Sequence, residues 1–167
     1  MTDITCCITG HRPQSLPWGF REDDGRCLAV RAELGRTVEG LFRRGFRRFI
    51  TGMAMGADLI FAETVLETLP PDAVLLAAAI PFPGQPDRWP PREQARYRAI
   101  LERCGERHTL SPSYIPGCMH LRNRWMVDQS GVVVAVWNGQ LRGGTYSTLR
   151  YARDLGREVL IVPAESA

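Results

Sequence analysis

Three short glycine-containing turns carry most of the chemistry that this sequence of 167 residues can do. One of them, Thr51-Gly52-Met53-Ala54-Met55-Gly56-Ala57-Asp58, follows the apolar Phe49-Ile50 and opens a stretch with helical spacing. Gly52 and Gly56 permit positive φ and a close approach of a ligand to the main chain. The helix that follows offers free N–H groups and the positive end of its dipole. Together these features suit a phosphate. Thr9-Gly10-His11-Arg12-Pro13 adds a turn glycine with donors from His11 and Arg12. Arg142-Gly143-Gly144-Thr145 adds a bare main chain and a Thr145 hydroxyl able to cap a helix while bonding a phosphate oxygen. Each turn follows a predicted strand, so the three are expected to converge on one nucleotide-sized pocket. Each residue also has a plain structural reading: a turn histidine, a flexible turn, a helix cap at Asp58, a surface charge at Glu63.

The glycine spacing excludes two familiar sites. Gly52-x-x-x-Gly56-x-Asp58 is not the G-x-G-x-x-G dinucleotide fingerprint, and no lysine follows the glycines as a Walker A loop requires. Between the second and third turns lies Arg122-Asn123-Arg124-Trp125-Met126-Val127-Asp128. On a helix, His120, Arg124 and Asp128 share one face, an ion-paired surface in the simplest case. Met119, Asn123 and Met126 share another, which should pack inward. An inward asparagine needs a hydrogen-bond partner, so Asn123 either pins a loop or reads a ligand.

The elements that must position these turns follow from periodicity. Ile4 to Thr9, Arg47 to Thr51, Ala73 to Ile80, Val132 to Trp137 and Glu158 to Val162 read as strands, with a weak one near His108 to Leu110. Helices are expected over about 25–44, from near Leu59 to Pro70, over about 91–104, over about 117–129 and from Gly144 to Leu155. Strands alternating with helices predict an α/β, Rossmann-like, three-layer domain spanning residues 1–167, with a mainly parallel sheet. Ligands of such sheets bind beyond the carboxyl ends of the strands.

Composition narrows the class. The hydrophobic fraction of 44% and the charged fraction of 23% are those of an ordinary globular domain. No apolar run reaches the ~18 residues of a membrane span, and the first residues lack signal-peptide character, so a cytoplasmic location without membrane insertion is expected. Cys6, Cys7, Cys27, Cys104 and Cys118 form no Cys-x-x-Cys pair and read as packing residues. No His/Asp/Glu group has metal-ligand spacing, and no metal is expected. All 21 basic residues are arginine and the net charge is +3. The arginines are spread along the chain. Their densest cluster, Arg43, Arg44, Arg47 and Arg48, reads as a solvated helix end, with no aromatic-interleaved stripe of the kind that binds single strands.

Thr9-Gly10-His11-Arg12-Pro13, Gly52 to Asp58 with Ala62-Glu63, Arg122-Asn123 with Met126-Val127-Asp128, and Gly143-Gly144-Thr145 occur in this order. The pattern resembles the YpsA-like family of the SLOG superfamily of Rossmann-like domains, over essentially the whole chain. That superfamily also holds the LOG phosphoribohydrolases and the DNA-processing protein DprA. The resemblance implies a bacterial protein that binds a nucleotide or nucleotide-derived ligand, in a context of cell division or stress. LOG-type enzymes carry Pro-Gly-Gly-x-Gly-Thr-x-x-Glu. With its threonine on Thr145, Thr148 takes the place of the glutamate and supplies no carboxylate for N-glycosidic cleavage. A second departure is Gly131, where an acidic residue often follows the serine.

The resulting expectation is a sensor or regulator that binds NAD, ADP-ribose or another nucleotide. Main-chain amides around Gly52 to Asp58, among them Met53 and Gly56, and at Gly143, Gly144 and Thr145, would hold phosphate. His11 and Arg12, beside Gly10, would add charge-assisted bonds. Asp58 or Asp128 would bond ribose hydroxyls, and Arg122 and Asn123 would brace the pocket. The alternatives are a phosphoribohydrolase-type enzyme using Glu63 or Asp128, and a DprA-like single-stranded DNA-binding module. No catalytic residue is assigned. The expected partner is a nucleotide-derived small molecule. A protein partner or self-association is compatible with the resemblance, and nucleic acid is disfavoured.

Overall fold

The computed structural model describes residues 1–164. Six strands form one parallel sheet: β1 (Thr5–Gly10), β2 (Arg48–Thr51), β3 (Leu75–Ile80), β4 (Glu106–Thr109), β5 (Val132–Trp137) and β6 (Glu158–Pro163). Their order is β4-β3-β2-β1-β5-β6. The connecting helices are α1 (Gly25–Arg43), α2 (Ala57–Thr68), α3 (Pro91–Glu102), α4 (Cys118–Gln129) and α5 (Gly143–Asp154). This is the α/β, Rossmann-like architecture that the alternation of periods predicts. Among the described residues no helix is long and apolar enough to cross a membrane.

Alternation along the strands sorts side chains between two cores. Cys6, Ile8, Phe49, Leu76, Val132 and Val134 point toward Leu34 and Val38 of α1, Ile60 and Phe61 of α2, and Tyr97 and Ile100 of α3. Cys7, Ile50, Ala77, Ala79 and Val133 point to the opposite face, where Met126 and Val127 of α4 and Ala152 of α5 cover them. Both faces are thus apolar, which accounts for the nearly unbroken apolar runs of the central strands. The edge strand β4 alternates half-buried and exposed residues, and this polarity makes it a weak strand in the sequence. Cys6 and Cys7 are fully buried. Burial pushes the Cys7 thiol up to about 12 and the Cys6 thiol well above its ordinary value, so both act as small packing groups.

At the carboxyl end of β1 the sheet and α2 approach unusually closely. A Cβ on Gly10 would fall 2.4 Å from Cβ of Ala57 and 3.1 Å from Cβ of Val136. Gly131 is also fixed by space: a Cβ there would meet the Thr2 carbonyl oxygen at 2.6 Å. It precedes β5 at the amino end of the sheet, so the departure from an acidic residue at this position leaves the carboxyl end untouched.

Gly10→Ala should therefore lower unfolding stability by about 1–3 kcal/mol, the range for overpacking, and Ala57→Gly in the same chain should restore part of it. Urea unfolding of the single and double variants measures both. A stable single variant would contradict the packing.

Candidate functional site

The carboxyl ends of the strands open into a cavity of about 290 Å³. Its walls are the end of β1 from Ile8 through Arg12, the turn residues Gln14 and Ser15, Ala54 and Asp58, one side of α4, and Gly144 and Thr145 of α5. The cavity sits between β1 and β5, where the chain, having wound outward through β2, β3 and β4, returns to start the other half of the sheet. A sheet of this topology leaves a crevice at that reversal.

Of the residues expected at the site, Gly10, His11, Arg12, Asp58, Arg122, Asn123, Gly144 and Thr145 line this cavity. Gly52, Met53, Gly56, Glu63, Asp128 and Gly143 do not. The turn from Gly52 to Asp58 is folded around a carboxylate of its own. Ala54 N–H donates to Oδ2 of Asp58 at 3.3 Å, Met53 N–H donates to the Thr51 hydroxyl at 3.2 Å, and Ala57 N–H donates to the His11 carbonyl at 3.1 Å. Three amides expected to face a phosphate are thereby satisfied internally. Positive φ occurs at Gly56 (89°) and at Met53 (60°), not at Gly52. Gly52 is required by packing: a Cβ there would lie 2.6 Å from Oδ2 of Asp58 and 2.7 Å from Nη1 of Arg122.

Asp58 and Arg122 form the floor of the cavity. Asp58 is 6% exposed and Arg122 3%. Burial raises the Asp58 carboxyl above its ordinary value and lowers the Arg122 guanidinium below its own, and each opposes the shift of the other. Arg122 Nη1 donates to the Gly52 carbonyl, to which Gln85 Nε2 also donates at 3.4 Å. Arg122 Nε donates to Oδ1 of Asn123 at 2.9 Å. This bond fixes the Asn123 carboxamide and leaves its NH2 directed elsewhere.

His11 accepts the Asn138 main-chain N–H on Nε2 at 3.1 Å. Burial pushes its ring below the ordinary 6.5, so His11 is a neutral brace between the first turn and the end of β5. The cation of this turn is Arg12, which is exposed. Thr145 is the third residue of α5, whose N-cap is Arg142 and whose first turn no side chain caps. Thr145 therefore lines the cavity without capping the helix.

Glu63 lies outside the cavity, in a separate groove beside residues 20–23 and α3. There it accepts from Arg31 at 3.1 Å and from Arg96 at 2.6 Å, and both guanidiniums also hold Glu22. Asp128, at the far end of α4, accepts the Tyr151 hydroxyl at 2.5 Å. Gln14 and Ser15 also belong to the cavity wall, outside the motifs read in the sequence. Both directly follow Thr9–Pro13 in a 3₁₀ turn, Pro13–Ser15, so the motif could have been read two residues further. Asn138, exposed by no motif, was not legible.

A family model, YpsA, described as the YspA SLOG family, matches residues 6–157. The chain belongs to the YpsA family of SLOG domains. Relatives in this family include the UPF0398 protein OB1025 of Oceanobacillus iheyensis, 26% identical over 86% of this chain and 80% of that protein. The UPF0398 protein of Bacillus pumilus is 25% identical over 88% and 80%. Among solved structures, DNA processing protein A (DprA) from Streptococcus pneumoniae superposes with a TM-score of 0.64 at 17% identity, over 95% of this chain and 50% of its own. DprA from Helicobacter pylori, whose structure describes a single-stranded DNA binding mode, gives 0.64 at 18% identity over 97% and 66%. The YpsA chain thus spans half to two thirds of these DprA chains, and the likeness is one of fold. It overturns the expectation that nucleic acid is disfavoured: a domain of this fold occurs in a protein that binds single strands. That expectation rested on arginines dispersed along the sequence, and dispersal in sequence says nothing of where folding gathers them.

Two outcomes follow from the floor and the brace. Arg122→Met should cost about 3 kcal/mol in urea unfolding, because it strands a buried carboxylate and removes a charged donor from the Gly52 carbonyl; unchanged stability would exclude the arrangement. For His11, the folded ring binds its proton less readily than the unfolded one, so this residue's contribution to stability is lost as pH falls below about 6.5. In a two-dimensional NMR titration the His11 ring and the Asn138 amide should move together with a midpoint below 6.5, and a midpoint at or above it would refute the neutral brace.

Proposed function

We propose that the cavity binds the phosphate-bearing part of a nucleotide or nucleotide-derived ligand, and that the protein is a sensor or regulator in the cell-division or stress context implied by the family resemblance. The supporting observation is the meeting, at the reversal of strand order, of Arg12 with the uncapped first turn of α5. Arg12 makes no ion pair among the described residues. A guanidinium, the start of a helix and the Thr145 side chain lining one cavity suit a phosphate dianion. The Asn123 NH2 adds a donor, and Asp58 offers an acceptor to a ribose hydroxyl.

Size and chemistry shape the ligand. A cavity of about 290 Å³ is at the lower end of the roughly 300–1,000 Å³ range of small-molecule sites. It encloses a mononucleotide unit. NAD or ADP-ribose would leave its second half outside the cavity. Binding is favoured over N-glycosidic hydrolysis because Asp58 is the one carboxylate among the lining residues, and it already accepts the Ala54 N–H and lies in the field of Arg122. Thr148, in the glutamate position of LOG-type enzymes, donates its hydroxyl to the Gly144 carbonyl at 2.9 Å. A second reading, single-stranded nucleic acid, is favoured by the shared fold of the DprA proteins.

A thermal-shift series with AMP, ATP, NAD, ADP-ribose and oligo(dT) tests both. A ligand at ~100-fold its Kd adds about 2.7 kcal/mol, which for a chain of this size raises Tm by roughly 5–10 °C. Gly144→Val is the diagnostic variant: a Cβ there meets nothing within 4 Å and no positive φ is required. It should fold normally and lose the shift, as should Arg12→Ala. Absence of any shift with all four nucleotides would remove the first reading.

A further inference from the structure

We propose that the outer face of α5, with the adjoining side of α4, is a track for a single-stranded polynucleotide leading away from the cavity. This rests on the second reading above and adds to it the surface involved and the groups that hold bases and phosphates.

Charge is the first ground. Residues 118–154 hold five arginines and two aspartates, and the rest of the chain holds sixteen arginines and sixteen carboxylate residues. The positive excess of the protein therefore lies in the segment from α4 to α5. Among the described residues seven of the sixteen arginines elsewhere pair with carboxylates, whereas none of Arg124, Arg142, Arg150 and Arg153 does. All four are exposed. Of the two aspartates, Asp128 is engaged by Tyr151, and Asp154 stands at the last residue of α5, where it bounds the track.

Aromatic interleaving is the second ground. Arg124 lies 4.7 Å over the Tyr151 ring on the α4 side. On the other flank Trp137 stacks on Tyr146 with centroids 6.2 Å apart and planes at 12°, and Arg150 stands 5.9 Å over Tyr146. Tyr146, Tyr151 and Trp137 are half-buried, fixed by packing with part of each ring open. Rings held in place beside unneutralised guanidiniums are the arrangement that takes unpaired bases and their phosphates without reading sequence. Continuity is the third ground. The recess lined by Arg124, Ser147 and Tyr151 shares His120 and Asn123 with the cavity, so one end of the track adjoins the cavity that Arg12 and the start of α5 line.

The test is fluorescence anisotropy of labelled oligo(dT) and oligo(rU) of about 16 nucleotides, with a duplex of the same length, across a salt series. Both arms carry the shared chemistry, and their relative affinity tells DNA from RNA. The intact chain should bind single strands more tightly than duplex. Arg124→Ala with Arg150→Ala should reduce the salt slope by about 1.4, at ~0.7 per phosphate contact. Tyr146→Ala should weaken binding roughly 5- to 150-fold. These variants should keep the AMP shift, since none lines the cavity. No binding of either strand at about 50 mM salt, where phosphate contacts are strongest, would overturn the track and the second reading together. Binding that keeps its slope in the arginine variant and its affinity in Tyr146→Ala, but is lost in Arg12→Ala, would overturn the track alone.

Discussion

Three segments meet at the carboxyl end of the sheet at distances that leave no room for a Cβ, and the cavity exists because of that approach. Gly10 lets α2 seat its first residue, Ala57, against β1. Gly56, at φ 89°, lets the His11 carbonyl come within 2.6 Å of where its Cβ would be, and the Ala57 N–H closes the same contact. Gly52 lets Asp58 and Arg122 close over the end of β2. The glycines thus bind chain to chain, and the space left beyond them is what a ligand can use. The approach has a further effect on where anions are received. The Met53, Ala54 and Ala57 amides of the turn after β2 are committed to Thr51, Asp58 and His11. In the proposed reading the capacity for a phosphate lies with Arg12 and the start of α5, which line the cavity.

The floor below that capacity is a pair of buried, opposite charges. Desolvation drives Asp58 toward its neutral form and Arg122 likewise, and the field of each opposes the shift of the other. Because they are opposite, they add little net charge to the cavity, and Arg12 sets its sign. Because Arg122 comes from α4 and donates to the Gly52 carbonyl, the pair also ties α4 to the end of β2 across the sheet. Asn123 is the next residue of the same helix and takes Arg122 Nε as its donor. A group that occupies the cavity thus touches a residue whose position is set by the floor, and the helix carrying both also carries Arg124 on its outer side.

The fold was legible because every central strand is apolar on both faces and each amphipathic helix is bounded by glycine or proline. Gly45, at φ 101°, and Pro70 end α1 and α2 where their residue types require. The site was legible as a set of turns but not as a set of contacts. A glycine signals close approach without saying whether a ligand or another strand approaches, and at Gly52 and Gly56 it is the chain. Glu63 and Asp128 failed to reach the cavity for a helical reason: each lies five residues from a lining residue, Asp58 or Asn123, which turns it about 140° around the axis and ~7.5 Å along it. The neutrality of His11 was hidden because its partner, Asn138, is 127 residues away.

Arginine density along the sequence proved a poor guide to the field of the folded protein. The densest cluster is spent on structure. Arg43 meets Glu39 at 3.6 Å, Arg44 forks onto Glu158, Arg48 forks onto Glu106, and Arg47 covers the Phe42 ring while donating to two carbonyls. A bidentate pair of this kind presents solvent with no net charge, and exposed pairs contribute little energy besides. Arg12, Arg124, Arg142 and Arg150 are scattered in sequence but lie on the turn after β1 and on or beside α4 and α5, the segments that border the reversal between β1 and β5. What concentrates a field is the absence of a partner carboxylate beside a low-dielectric wall, and folding supplies that condition at the cavity and along α5, where the sequence shows only isolated cations.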